Sequence, residues 1–303
     1  MPELPDVVVY IEALEARVLN QTLENIRIAS PFVLRSVDPA PSALPGKKIR
    51  AIRRLGKQIV FVFDDEHFLV IHLMIAGRLQ WRGRHAPLTG KIGLAALDFD
   101  SGTLVLTEAG SKKRASLHVV RGEKALQTFN RQALEVMDSS LEEFESTLRR
   151  ENHTLKRSLT DPRLFSGIGN AFSDEILHHA TLSPMKQTSR MSEAEVRRLW
   201  ESTRSVLAEW VGRLRSQSGS EFPSKVTAFR PEMAVHGRFG KPCPRCGAPV
   251  QRIVYAENEC NYCAPCQTEG RLLADRAISR LLKEDWPRSL EEMEKHFDKR
   301  RGN

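Results

Sequence analysis

Val8, Ile11, Leu14 and Val18 recur every three to four positions behind Pro5. This spacing predicts a helix from Asp6 to about Asn20, with proline at its start, where no amide hydrogen is needed. The pattern then changes. Between residues 20 and 120, runs rich in β-branched and aromatic residues alternate with turn residues, at 23–29, 47–56, 57–65, 66–79, 92–109 and 114–120. Asp64-Asp65 and Asp100-Ser101-Gly102 read as hairpin turns, and two packed antiparallel sheets fit the stretch. After Gly122 the helical period returns, carried by 141–151, 169–180 and 192–216, and Ser192 and Glu195 have the spacing of a capping box. Ser216 to Ser220 reads as a loop. Segment 247–262 has the length of a β-hairpin, and 274–286 reads as one more helix before a charged tail. The fold class expected is multidomain α+β, with parts at 1–125, 126–225, 226–275 and 276–303.

The chain has 303 residues, with 46 Lys and Arg against 38 Asp and Glu, a net charge of +8. The excess favours an anionic partner without naming one. Asp6, Glu12, Glu15 and Arg17 interrupt the first apolar stretch, so it reads as an amphipathic helix and not as a signal peptide. No uninterrupted apolar run approaches the roughly 18 residues of a membrane span. A cytoplasmic protein is expected.

Three places carry candidate chemistry. All five cysteines lie between Cys243 and Cys266. Cys243 and Cys246, then Cys263 and Cys266, form two close pairs suited to one tetrahedral Zn²⁺, a closed structural site with no open position for a reacting group. Cys260 falls outside this spacing and is expected to be a free thiol. The N-terminus reads Pro2-Glu3-Leu4-Pro5-Asp6. Removal of Met1 would expose a secondary amine, nucleophilic near neutral pH, with a carboxylate beside it; taken alone, Pro2 and Pro5 read more readily as stiffeners of a terminus. Gly167, Gly169 and Asn170 lie between two apolar segments, with Asn170 placed to begin and cap a helix whose amides could hold a phosphate; an ordinary turn explains the same spacing.

Taken in order, PELPD at 2–6, RRLGKQIVF at 53–61, GIGNAFSDEIL at 167–177 and the four-cysteine hairpin resemble the formamidopyrimidine-DNA glycosylase and endonuclease VIII family of bifunctional glycosylase/AP lyases, over residues 1–275 or so. The resemblance implies an N-terminal β-sandwich with a leading helix, a helix–two-turn–helix domain and a zinc finger, gripping damaged or abasic DNA between two lobes. It implies removal of oxidised or ring-opened bases and cleavage of the abasic strand by β/δ-elimination. Pro2 becomes the Schiff-base nucleophile and Glu3 the general acid/base. Asp6, where the family usually has glutamate, joins the catalytic group by orienting the first helix. Lys57 and Asn170 contact phosphate, with Gly169 allowing close approach, and Met74 or Ile75 fills the vacated stack. If a strand continues there, only one of those two faces DNA and the other is core. A two-lobed clamp needs no second subunit, so a monomer is expected.

Two departures from the family pattern bear on lesion choice. Segment 107–117 carries Lys112, Lys113 and Arg114 but no aromatic wedge; the three read as phosphate contacts or as a solvated basic turn. Asn258 stands where many members carry a finger arginine; Arg252, on the other arm of the hairpin, and Asn261, Arg245 and Lys241 nearby are candidate substitutes. The competing reading is a non-catalytic binder of kinked or abasic DNA.

Overall fold

The computed structural model describes residues 1–88, 90–110, 112–223, 226–227, 229–255, 258–273 and 287–292. The helix expected over 274–286 lies outside the described residues, as does most of the tail. The chain forms two compact units, Met1–Ala133 with Ala208–Ala228, and Leu134–Leu207 with Phe229–Asn303.

The first unit opens with α1, Leu4–Val18. Glu3 and Asp6 close a capping box at its start, and Val7, Tyr10, Leu14 and Val18 are fully buried along one face. Eight strands follow: β1 Asn25–Ile28, β2 Ile49–Leu55, β3 Gln58–Phe63, β4 His67–His72, β5 Gly77–Arg82, β6 Gly93–Phe99, β7 Gly102–Glu108 and β8 Ser116–Arg121. They form two antiparallel sheets, ordered β1-β6-β7-β5 and β2-β3-β4-β8. Apolar side chains from both sheets and α1 share one core, including Ile59, Phe61, Leu69, Leu97, Phe99 and Leu106. A short helix, α2 Glu123–Gln127, follows β8.

Register decides what gathers at one end of the second sheet. β2 and β3 join through Gly56-Lys57, where Gly56 has φ +63°. Gln58 pairs with His72, and His72 pairs with Ser116. Lys57, His72 and the residues before Ser116 therefore lie at the same sheet end.

The single strand expected over 66–79 breaks into β4 and β5. The Gly77 amide turns back to the Leu73 carbonyl at 2.9 Å, and Met74 takes φ +52°. A Cβ at Gly77 would lie 2.2 Å from that carbonyl, so the turn demands glycine. At the β6–β7 turn, Gly102 has φ +155°, and an added Cβ would lie 2.7 Å from the Arg82 carbonyl oxygen and from Trp81 Cζ2. Gly102→Ala is expected to destabilise the protein by about 1–3 kcal/mol, read from its urea unfolding midpoint.

The second unit holds α3 Leu141–Arg149, α4 Leu155–Thr160, α5 Asn170–His179 and the first part of α6 Glu193–Ser218. The anticipated capping box of α6 is present: Ser192 N donates to Glu195 Oε2 at 3.0 Å, and Glu195 N donates to Ser192 Oγ at 3.3 Å. The helix runs into the segment expected as a loop and stops only at Gly219, φ +54°, whose amide bonds the Arg215 carbonyl. β9 Gln251–Tyr255 and β10 Asn258–Tyr262 form the expected hairpin, followed by α7 Ala264–Thr268. α2 and α4 are too short to show a period in the sequence; α4 is started by Thr154, whose hydroxyl accepts from Arg157 N.

Candidate active site and metal centre

The capping box that starts α1 also buries the candidate nucleophile's neighbours. Pro2 is buried, Glu3 is 2% exposed and Asp6 is 3% exposed. Glu3 N donates to Asp6 Oδ2 at 2.9 Å. Asp6 thus fixes the backbone of Glu3, and the shorter carboxylate still reaches it. The terminal amine, carried here by Met1, is held below its ordinary pKa. Burial is the largest cause; Glu3 and Asp6 oppose it, while Arg78 and Lys57 reinforce it.

Arg78 was not singled out from sequence, and His72 only as part of the segment that carries Met74 and Ile75. Arg78 follows the turn at Gly77, and its guanidinium donates to the carbonyls of Val226 and Gly77. His72 is pushed down to about 4 by burial first, then by Lys57, Arg131 and His118, so it is neutral at pH 7. Only the register of β3 against β4 brings it beside Lys57.

Met74 and Ile75 sit in the turn between β4 and β5. Ile75 is 53% exposed and Met74 is half-buried, so neither is core. The expectation that one would be buried assumed a continuous strand; Leu73 takes the core position instead, at 1% exposure. Lys112 and Arg114 are exposed. Glu108 shapes their loop: its carboxylate accepts from the amides of Arg114 and Ala115 at 2.9 and 3.1 Å, and its carbonyl accepts from the Lys113 ammonium. Lys113 is therefore occupied within the protein.

In the second unit, Gly169 is the N-cap of α5 and Asn170 its first residue. The Asn170 side chain does not cap. Its Nδ2 donates to the Glu259 carbonyl in β10 at 2.8 Å, tying the helix start to the hairpin. Beneath it, Lys156 donates to the Asn170 carbonyl, to Ser173 Oγ and to Asp174 Oδ1 at 2.6–2.8 Å. The other Asp174 oxygen receives His236 Nδ1 at 2.7 Å. Burial alone would push Asp174 up, but the Lys156 charge and the bonds from His236 and Lys156 outweigh it and hold the carboxyl below its usual range. Arg252 lies over the Phe239 ring at 4.4 Å, with Nη1 3.7 Å from Glu259 Oε2, and pairs with Asn261 across the hairpin. Asn258 opens β10 opposite Tyr255. The Sγ atoms of Cys243, Cys246, Cys263 and Cys266 all lie within 4.8 Å of one another.

Residues 1–114 match the N-terminal domain of formamidopyrimidine-DNA glycosylases, and residues 132–221 match their H2TH domain. The formamidopyrimidine-DNA glycosylase of Thermus thermophilus is 34% identical over 277 residues, covering 89% of this chain and 100% of that protein. The chain belongs to the formamidopyrimidine-DNA glycosylase family. The corresponding enzyme of Solibacter usitatus is 31% identical over 275 residues, covering 88% and 99%. Among solved structures, the Lactococcus lactis Fpg protein in complex with abasic-site DNA has a TM-score of 0.78 at 26% identity, covering 88% of this chain and 99% of that one. A variant of the same enzyme with DNA containing Fapy-dG has a TM-score of 0.77 at 26% identity, covering 88% and 100%.

As a family member the protein is a base-excision-repair enzyme, a DNA glycosylase with AP lyase activity. Its β-sandwich with leading helix, helical domain and four-cysteine hairpin agree with the architecture read from sequence. The cysteine cluster can coordinate a metal ion. Tetrahedral zinc with Zn–S bonds of about 2.3 Å needs sulfur atoms about 3.8 Å apart. The Sγ atoms of Cys246 and Cys263 lie 3.3 Å apart and those of Cys243 and Cys266 4.0 Å, which brackets that spacing. Cys260 is outside the cluster at 1% exposure, and burial pushes its thiol well above the ordinary range, so it is unreactive. No helix among the described residues is long and apolar enough to cross a membrane.

Proposed function

We propose that the protein removes oxidised or ring-opened bases from duplex DNA and cuts the resulting abasic strand through a Schiff base on Pro2. The observation that carries this reading is the N-terminal cluster. Pro2 and Glu3 are buried at a helix start fixed by Asp6, and two cations, Lys57 and Arg78, act on the terminal amine. Burial first, and then those two cations, hold the Met1 amine at this place below its ordinary pKa, and the same surroundings favour an unprotonated, nucleophilic Pro2 nitrogen once Met1 is lost.

After loss of Met1, the Pro2 nitrogen attacks C1′ of the damaged nucleotide, and the bond from C1′ to the base breaks, the base leaving with the proton that the Pro2 nitrogen gives up. Glu3 donates a proton to the ring oxygen as the sugar opens, leaving an iminium between Pro2 and C1′. The iminium acidifies the proton on C2′. Its removal by the Glu3 carboxylate expels the 3′ phosphate, and a second elimination expels the 5′ phosphate. Lys57, His72, Lys112 and Arg114 offer contacts from the sandwich to phosphates, and Asn170, Gly169 and Arg252 offer them from the helical unit. Met74 and Ile75 supply apolar surface for the vacated stack. The Asn170 contact to Glu259 means that the hairpin helps aim Asn170. Arg252 is held by Phe239 and Glu259 and is the candidate to serve in place of an arginine at Asn258. Cys243, Cys246, Cys263 and Cys266 hold one structural Zn²⁺, which supplies folding energy and takes no chemical step. The parts at 1–125, 126–225 and 226–275 divide cutting, DNA reading and metal binding.

The test is a panel of end-labelled duplexes carrying an oxidised purine, a ring-opened purine, an oxidised pyrimidine or an abasic site. The expected result is strand breakage at the lesion leaving phosphate on both sides of a one-nucleotide gap. Binding to abasic DNA without cleavage of any substrate would instead establish the non-catalytic reading.

A further inference from the structure

The first cysteine knuckle meets the far end of α5. His178, on the last turn of that helix, is 5% exposed, and its Nε2 lies 3.2 Å from Cys243 Sγ. Arg245, between Cys243 and Cys246, donates from Nη2 to the His179 carbonyl at 3.3 Å. At the helix start, Asn170 is already bonded to β10. The hairpin module is therefore fastened to both ends of one helix.

A metal-bound cysteine sulfur carries no hydrogen and can only accept, so the hydrogen of this contact belongs to His178 Nε2. Four thiolates around a divalent ion carry two net negative charges. An N–H aimed at one sulfur draws off part of that charge and fixes the direction of the sulfur toward the metal. The Arg245 bond satisfies a carbonyl left open at the helix C-terminus, where a cation is favoured.

We propose that His178 is a positioning residue for the metal centre: its Nε2–H···Sγ bond to Cys243, with the Arg245 bond to His179, makes metal loading and the placement of α5 a single event. The ion then governs DNA binding at a distance, through the helix that begins with Asn170. This rests on the zinc reading above. It assigns His178 no contact with the metal, with DNA or with any reacting atom.

The test compares zinc-loaded wild type with His178→Phe, which loses the donor, and His178→Gln, which keeps one. Zinc transfer to a chromogenic chelator and hydrogen exchange of the α5 amides are read together. His178→Phe is expected to hold zinc about 10–100-fold more weakly and to lose α5 protection, with His178→Gln recovering part of both. In cadmium-substituted, nitrogen-labelled wild type, a scalar coupling between the His178 Nε2 proton and cadmium is expected across the hydrogen bond. That measurement needs no variant to fold. A His178→Phe protein with wild-type zinc affinity and α5 protection, or a wild type lacking the coupling, overturns the proposal. A wild type that binds no zinc removes the metal reading itself, and the direct metal assay on the purified protein reveals that first.

Discussion

Cys263→Ser is expected to unfold the hairpin and to abolish specific DNA binding, while the β-sandwich stays folded. The module's own core is small: Val235, Val250 and two of the cysteines in one cluster, with Ile253, Cys260, Tyr262 and Ala264 in another. Structural zinc in such modules contributes an apparent stability of about 10–16 kcal/mol, comparable with the roughly 5–15 kcal/mol of a whole domain. A core of this size cannot replace it. The sandwich has its own cluster of more than twenty buried apolar residues and does not draw on the metal. Limited proteolysis with mass analysis should therefore find new cleavage within 240–270 and none within 49–108. DNA binding should fall because Asn170 loses its partner, the Glu259 carbonyl, and Arg252 loses the strand that carries it. A chelated wild type should behave in the same way and recover on adding zinc. A Cys263→Ser protein with an intact, protease-resistant hairpin would show that the cysteines do not hold a structural ion.

The second large effect falls on Glu3. Glu3→Gln keeps the side-chain length and an acceptor oxygen, so the capping arrangement with Asp6 can persist and α1 should fold as before. What it removes is a group that can give and take a proton. General acid–base groups contribute about 10²–10⁴-fold, and single-turnover base excision should fall by a factor in that range. Attack of the Pro2 amine on an abasic site already present needs less help, because that sugar already equilibrates with its open-chain aldehyde and Glu3 need not drive the ring open. Excision should therefore suffer more than Schiff-base formation on abasic DNA. Equal loss of both would assign Glu3 to structure alone.

The legible and illegible parts of this site differ for a physical reason. Pro2-Glu3, the four cysteines and the Gly-Asn turn each keep their chemistry within a few consecutive residues, so spacing reveals them. The period of α1 and α6 and the alternation of the strands were equally local. His72 beside Lys57 is different: the pair depends on β4 lying against β3 in one register, and nothing at either position announces it. The same holds for Lys156, Asp174 and His236, which come from α4, α5 and the segment before the hairpin and meet only in the folded unit. Asn170 shows the limit from the other side. Its place at a helix start suggested a cap, which is a local role, but a partner 89 residues away takes its side chain. The expectation that one of Met74 and Ile75 would be core failed for a similar reason. Apolar residues run unbroken from Phe68 to Ala76 apart from His72, and the backbone reversal after Leu73 is marked only by Gly77.

The proposed cutting chemistry resides on the Pro2 nitrogen. Borohydride reduction during reaction with abasic-site DNA, followed by proteolysis and mass analysis of the cross-linked peptide, tests it directly. The expected result is a covalent adduct on the N-terminal peptide of protein lacking Met1, attached through Pro2 and absent when Pro2 is replaced by glycine with Met1 retained. An adduct mapped to a lysine such as Lys57, or no adduct from folded, zinc-loaded protein, would contradict it.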